Sequence, residues 1–352
     1  MNAAALEAVG KVDEVNFVGP INPPFISWQK FLSKLSRWAG WKGDFSFFSR
    51  RRLGQIAREV RDKCQREAAL DFFHGFTPWI SVTSERPYVT WSDCTFRDYI
   101  RFYHTAENFR ETDLRRIEMA EIAWLKKARL VMFTSQWAAE RVISDYGLDA
   151  NKIAIAGIFG EFEMPDSDSF AGEKKFVFVS TNFQAKGGPV VLSAFREVRK
   201  RFPEASLVIV GDCPAQTRSE SGVAVAGFLR KEVPAEAARF RDIMGTARAL
   251  IHPTKSDIAP LLIVEAGYFG CPAISSRRFA IPELVEDGTS GLLLDDPSDA
   301  GSVARAMIWM LENEEGYRSM RQAAWARTRE KFSKARFIER MSSQVSRVLN
   351  AQ

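Results

Sequence analysis

The chain has 352 residues, 49 Lys/Arg against 44 Asp/Glu for a formal net charge of +5, 46% hydrophobic residues and 26% charged ones. That length suits two domains, and the composition excludes a disordered, collagenous or coiled-coil chain. No apolar run is long enough to span a bilayer, and Met1–Gly10 lacks the basic lead and apolar core of a signal peptide. Cys64, Cys94, Cys213 and Cys271 form no C-x2-C pair, so the expectation is a reduced cytoplasmic protein without a zinc site or a disulfide framework.

In chain order, a helix over Asn2–Ala8 and a strand over Glu14–Val18 come first. Positive charge then gathers between Trp28 and Arg66, where eleven Lys/Arg stand against three Asp/Glu. The same segment, 28–66, carries Trp28, Phe31, Trp38, Trp41, Phe45, Phe47 and Phe48. Trp28, Phe31, Leu32, Leu35 and Trp38 recur at helical spacing, with Lys30, Lys34 and Arg37 between them. Two readings stand: a basic amphipathic helix lying peripherally on an anionic membrane surface, or a domain helix whose apolar stripe faces a core. No base-reading module accompanies the charge, so nucleic acid is not an expected partner.

Short apolar segments alternate with helical ones from there on, the pattern of parallel α/β architecture. Strands are predicted at Leu70–Phe73, Tyr88–Thr90, Leu130–Thr134 and Ile153–Ala156. Helices are predicted at Arg50–Ala69, Glu107–Lys127 and Gln136–Tyr146, the last capped by Ser135. Residues 161–174 are rich in Gly, Ser, Pro and acidic side chains and read as a linker. The pattern then restarts, with strands at Phe176–Ser180, Ser206–Val210, Val223–Ala226, Ala249–Ile251, Ala273–Ser275 and Gly291–Leu293. Its helices are Pro189–Phe202, Glu236–Thr246, Leu262–Phe269 and Ser298–Glu312, and a last helix covers about Phe332–Leu349. The expected domains are therefore 1–160 and 175–331, both Rossmann-like and facing each other across a cleft, with 332–352 as a C-terminal helix able to pack back on the first. A doubly wound domain begins with a strand, a glycine loop and a helix; here the helix comes first, so the N-terminal domain lacks its first strand and glycine loop.

Two segments of the second half carry the chemistry. In His252-Pro-Thr-Lys-Ser-Asp-Ile-Ala-Pro-Leu-Leu-Ile-Val-Glu265, a strand ends, a polar loop brings Asp257, and a helix opens near Leu261 with Glu265 about one turn inside. The free N–H groups of such a helix start suit a phosphate, and carboxylates on either flank suit paired hydroxyls of a ribose or hexose. In Phe176-Val-Phe-Val-Ser-Thr-Asn-Phe-Gln-Ala-Lys186-Gly-Gly-Pro, a strand, a loop with Lys186 and a helix start form a second anion site, where a lysine can neutralise a diphosphate leaving group. Of the three histidines, His74 follows a strand and could line the cleft, whereas His252, before Pro253, reads as structural; no Ser-His-Asp arrangement can be assembled.

These two segments, with Gly211-Asp212, Gly227-Phe228-Leu229-Arg230 and Ile281-Pro-Glu-Leu-Val-Glu-Asp-Gly-Thr-Ser-Gly-Leu-Leu294, resemble the C-terminal domain of retaining glycosyltransferases of family 4, which have the GT-B fold. The resemblance covers about 175–332; before that it is looser, in Asp71-Phe-Phe-His74-Gly, Tyr88-Val-Thr-Trp-Ser-Asp93 and Thr134-Ser-Gln-Trp137. It implies a hexosyltransferase that uses a nucleotide-diphosphate sugar as co-substrate, with no other cofactor and no metal. The implied acceptor is a glycan or a lipid-linked sugar in surface polysaccharide or glycolipid synthesis. By the resemblance, Lys186, Asp257 and Asp93 are catalytic. Glu265 takes the ribose hydroxyls, Leu261 and Leu262 cap the diphosphate through their backbone, Phe228 and Arg230 lie near the base, and Thr181 and His74 complete the donor site. The chain departs from the family pattern in Asp257 for glutamate, Pro260 for glycine, Thr181 for arginine, Phe279-Ala280 for a glycine pair, and Ser92-Asp93 for His-Asp. A catalytically impaired GT-B protein acting as a partner or membrane-surface scaffold is the alternative these departures leave open.

Overall fold

A computed structural model of the chain describes residues 2–24, 42–64 and 67–351. They form two compact units, Met1–Gly157 with Phe337–Gln352, and Ile158–Arg336. The helix expected around Trp28–Trp38 lies outside the described residues. From the same basic segment, Phe45 and Phe48 are buried in an aromatic cluster with Phe96 and Phe109, so these two rings belong to a core.

In the first unit, helix α1 (Asn2–Gly10) is followed by chain without regular structure. The strand expected at Glu14–Val18 is not formed: Phe17 is 65% exposed, and an isolated alternating segment has no sheet to bury its apolar side against. Helix α2 (Arg50–Lys63) is capped by Ser49, whose hydroxyl accepts from Arg52 N–H, and buries Leu53, Ile56 and Val60. It stops short of the predicted Ala69, ending at Cys64, whose backbone turns extended while its N–H still reaches Val60 O.

Strands β1 (Asp71–His74), β2 (Tyr88–Ser92), β3 (Leu130–Phe133) and β4 (Ile153–Ile155) form a parallel sheet in sequential order, so its crossovers all step the same way. Among the described residues no strand precedes β1. Helix α3 (Phe96–Tyr103) was not expected; its start is nevertheless written in Thr95, whose side chain accepts from Asp98 N–H. Helix α4 (Glu111–Lys127) begins later than predicted because Ala106–Asn108 form a separate 3-10 turn. Helix α5 (Gln136–Tyr146) has the predicted bounds, with Ser135 as its cap.

This unit encloses a carboxyl group. Glu121 of α4 is 0% exposed and accepts from Phe96 N–H (2.6 Å), Thr77 Oγ1 (2.5 Å) and Tyr146 OH (3.0 Å). Burial pushes its pKa up to about 7, against the pull of those three donors. The folded chain thus holds this proton more tightly than the unfolded chain, so the stability it contributes is full below about pH 4.5 and is lost as pH rises to about 7. The loss amounts to about 3 kcal/mol. Glu121→Gln is expected to remove that slope and to be the more stable protein at pH 8, measured by urea unfolding at pH 5 and pH 8. Equal slopes in the two proteins would refute the assignment.

The second unit is a parallel sheet of six strands: β5 (Lys175–Ser180), β6 (Ser206–Gly211), β7 (Val223–Gly227), β8 (Ala249–His252), β9 (Ala273–Ser276) and β10 (Gly291–Leu294). Their spatial order is β10-β9-β8-β5-β6-β7, so the winding reverses between β5 and β8. Both faces are buried, as a doubly covered parallel sheet requires. Phe176 and Phe178 point to a core shared with Val191 and Phe195 of α6 (Gly188–Arg201) and with Val303 and Met307 of α10 (Ala300–Glu312). Val177 points the other way, to Phe240 and Met244 of α7 (Pro234–Gly245) and Ile263 of α8 (Leu261–Tyr268). A single helical turn, α9 (Ile281–Leu284), precedes β10.

Helix α11 (Glu314–Lys331) was missed in sequence because its buried stripe runs Tyr317, Met320, Arg321, Ala324, Thr328, with two polar members. Helix α12 (Lys334–Asn350) follows, and from Phe337 onward it belongs to the first unit, where the Phe337 ring meets Trp91. Residues 158–174 hold no strand or helix but pack within the second unit, Phe162 stacking on Phe240 with ring centroids 5.0 Å apart.

Candidate active site

The sheet order reverses between β5 and β8, and the carboxyl ends of strands at such a reversal are the place where open α/β sheets bind ligands. Lys186 follows β5 and Asp257 follows β8, and the fold brings Lys186 Nζ to 2.5 Å from Asp257 Oδ2. The lysine loop is held close by Gly187, whose φ is +85° and whose missing side chain would lie 2.8 Å from the Pro253 carbonyl oxygen. His252, the last residue of β8, sets its Nε2 3.1 Å from the same carboxylate oxygen. Burial pushes the Asp257 carboxyl up, but His252 and Lys186 outweigh it and hold it below the usual carboxylate range. His252, which reads as structural in the sequence, thus joins the end of β8 to the Asp257 loop.

Helix α8 opens at Leu261, with Pro260 at its N-cap and no side-chain cap bond. The N–H groups of Leu261 and Leu262 stand in the first turn, where a helix offers donors to an anion. Glu265 is 1% exposed. Its Oε1 accepts from Glu161 N–H at 3.1 Å and from Lys231 Nζ at 2.6 Å, and Lys231 also reaches Glu161 Oε2 at 3.1 Å. Burial works against the Lys231 charge, but Glu265 and Glu161 outweigh it and raise its pKa above the ordinary lysine value. A side chain on Gly160 would lie 2.8 Å from Glu265 Cγ and 2.7 Å from the Tyr268 ring, so the chain passes Glu265 at backbone distance.

Lys231 is the residue that sequence reasoning missed. Arg230, the neighbour expected near the base, turns instead to Glu236, whose Oε2 accepts from its backbone N–H at 2.6 Å and whose carboxylate pairs with its exposed guanidinium. Phe228 stands 60% exposed just after β7. Thr181 is exposed after β5 and brings no charge to replace the arginine of the family pattern. Phe279 sits at φ +54°, so the left-handed backbone that a glycine would favour is kept with a phenylalanine in it, at a cost of roughly 1–3 kcal/mol. Its neighbour Ala280 donates its N–H to Ile258 O at 3.0 Å, tying this turn to the Asp257 loop.

In the first unit, His74 and Asp93 lie at the carboxyl ends of the paired strands β1 and β2. The His74 ring packs against Trp91, and burial lowers its pKa although Asp93 pulls the other way. Both residues nevertheless keep solvent-exposed surface. Among the described residues no group of three or more His, Cys, Asp or Glu side chains is placed to hold a metal ion, and no helix is long and apolar enough to cross a membrane.

Two parallel-sheet α/β units, the second in the strand order of a nucleotide-binding fold, define a GT-B protein. Residues 160–327 match the model of the family described as glycosyl transferases group 1. The chain is 28% identical over 200 residues to the GDP-mannose-dependent alpha-(1-6)-phosphatidylinositol monomannoside mannosyltransferase of Mycolicibacterium smegmatis, covering 51% of this chain and 52% of that one. It is 33% identical over 134 residues to the phosphatidyl-myo-inositol mannosyltransferase of Mycobacterium tuberculosis, covering 37% of this chain and 35% of the relative. The chain thus spans about half the length, or less, of these curated relatives. HepE of Anabaena, solved in complex with UDP-glucose, shares the fold with a TM-score of 0.61 at 18% identity, over 84% of this chain and 82% of that one.

Proposed function

We propose that the chain is a retaining hexosyltransferase that takes its sugar from a nucleotide-diphosphate donor and passes it to a glycan or lipid-linked acceptor. The observation that carries this reading is the Lys186–Asp257 pair at the reversal point of the second sheet, beside the open first turn of α8. Lys186 is the cation for the diphosphate, joined by the N–H groups of Leu261 and Leu262. Asp257 receives a hydroxyl of the donor sugar, and Glu265 receives the ribose hydroxyls. Phe228, exposed after β7, offers a ring to the base, and Thr181 a hydroxyl near the diphosphate. His74 and Asp93 serve the reaction from the first unit. The relatives named above support a hexose on a lipid-linked acceptor, and HepE supports a nucleotide sugar in this fold. An acceptor held in a membrane gives the basic segment 28–66 its use, as a peripheral contact with an anionic surface on the cytoplasmic side.

Lysine and helix N-terminus both act where charge develops on the departing diphosphate, so their interaction strengthens as the glycosidic bond breaks. The test is a calorimetric screen with GDP-mannose, UDP-glucose and ADP-glucose, followed by transfer assays in which NMR reports the anomeric configuration of the product. One donor is expected to bind, and the double change Lys186→Ala with Glu265→Ala to abolish its binding. Failure of all three donors to bind, or binding that survives the double change, overturns the reading.

A further inference from the structure

Glu265 is held on one oxygen by two donors from distant parts of the chain. Oε1 accepts from Lys231 Nζ at 2.6 Å and from Glu161 N–H at 3.1 Å, while Oε2 takes no hydrogen bond from the described residues. Lys231 stands in the loop after β7, and β6 and β5 lie between β7 and the β8 that leads to Glu265. The contact is therefore made across the end of the sheet and not along the chain. An ammonium has three N–H donors. Here one goes to Glu265 and one to Glu161 Oε2 at 3.1 Å, and Nζ also lies 5.1 Å from the centre of the Phe162 ring. That ring is itself fixed, stacked on Phe240 of α7 at an angle of 9°. Gly160 N–H donates to Tyr268 OH at 2.8 Å, which straps the start of the same segment to α8. The ammonium is thus placed by two carboxylates and a ring.

We propose that Lys231 is a positioning residue of the donor site: by holding Glu265 through Oε1 it presents Oε2 to the ribose, and so makes the site select ribonucleotides over deoxyribonucleotides. The inference rests on the reading of Glu265 as the acceptor of the ribose hydroxyls. The Glu265 side chain is 2% exposed, and a carboxylate so deep is costly without a counter-charge. Among the described residues Lys231 is the one cation paired with it; Lys186 is paired with Asp257 and Arg230 with Glu236. A charged acceptor binds a hydroxyl more strongly than a neutral one. A fixed acceptor also rejects the analogue without the hydroxyl, because nothing else moves in to satisfy the buried oxygen. Lys231 acts through Glu265 and has no need to touch the nucleotide. With the ammonium gone, Glu265 keeps only the Glu161 N–H on Oε1, and neither its charge nor its orientation is held.

The experiment titrates the full chain calorimetrically with UDP and with GDP, each beside its 2′-deoxy and 3′-deoxy counterparts. For the natural chain, loss of one of the two hydroxyls is expected to weaken binding about 10- to 100-fold. In Lys231→Met, which keeps the stem and loses the charge, that ratio is expected to fall to the few-fold value of a neutral hydrogen bond, as it does in Glu265→Gln. Adding Lys231→Met to Glu265→Gln is expected to change the ratio no further. The Lys231 side chain is 35% exposed, and Lys231→Gln, neutral and polar, repeats the measurement should Lys231→Met not fold. A lysine that only supports the fold lowers affinity for ribose and deoxyribose forms alike; a ratio unchanged in the two lysine variants therefore overturns the inference. A further fall when Lys231→Met is added to Glu265→Gln places the lysine on the nucleotide itself and overturns it as well. Binding by the natural chain without preference for ribose overturns the reading of Glu265, and absence of binding by either nucleotide overturns the donor-site reading as a whole.

Discussion

Lys186→Ala is expected to fold and to lose about 100- to 1,000-fold in kcat for glycosyl transfer, the range seen when one donor to a developing oxyanion is removed. The side chains of Lys186 and Asp257 are 20% and 21% exposed, so the pair contributes less to stability than a fully buried one, and the folded unit tolerates its loss. The chemistry has less slack. On the proposed reading Thr181 brings a hydroxyl but no charge, so the departing diphosphate meets the Lys186 ammonium, that hydroxyl and backbone donors. An interaction that grows as the leaving group gains charge lowers kcat more than it raises KM when it is lost. Lys186→Arg keeps the charge on a broader, planar head and is expected to recover part of the rate. Steady-state rates for the two variants, with a thermal melt of each, decide the matter. A loss in Lys186→Ala smaller than tenfold would move the role to another cation, and Lys231→Ala would then be the variant to measure.

Why Lys186 and Asp257 could each be singled out in the sequence, while their contact and others could not, follows from where each feature is encoded. Lys-Gly-Gly-Pro before a helix, and Asp257 and Glu265 around a helix start, are local signals; each lies within one strand, loop and helix, and Pro189 and Ser135 mark helix starts in the same way. The strand over Phe176–Ser180 is a local signal of the same kind, and its alternation puts Phe176 and Phe178 on one face and Val177 on the other. The Lys231–Glu265 contact joins the loop after β7 to a helix after β8, strands at different places in the sheet, and no spacing in the sequence reports it. The same is true of Trp91 and Phe337. Glu14–Val18 failed for the converse reason: alternation is present, but a strand also needs a neighbour. Helix α11 hid behind Arg321 and Thr328, polar residues on its buried face that mean something only once their partners are known.

Arg321 makes that last point measurable, because Arg321→Ala is expected to destabilise the second unit by about 3–5 kcal/mol through unpaired buried carbonyls and lost packing. The residue is 3% exposed. Its Nε and Nη2 reach the two oxygens of Asp168, each at 2.6 Å, and its remaining donors go to the carbonyls of Ala247 (3.0 Å), Gly245 (3.1 Å) and Phe269 (2.7 Å). The guanidinium also lies over the Phe170 ring, 4.2 Å from its centroid. One side chain therefore ties the segment before β5 to the ends of α7 and α8 from within α11. Asp168 is one-third exposed and regains water when the arginine is removed, so its charge is a minor part of the loss. The carbonyls have no such exit, and a cavity opens beneath Phe170. The order of effects follows: Arg321→Ala is the most harmful, Arg321→Lys is intermediate because a point charge cannot span Asp168 and three carbonyls, and Asp168→Asn costs about 1 kcal/mol. For a unit of this size the alanine change corresponds to a fall of about 10 °C in melting temperature. Urea unfolding of the three variants ranks them; Asp168→Asn as damaging as Arg321→Ala would place the stability in the ion pair rather than in the carbonyl cradle.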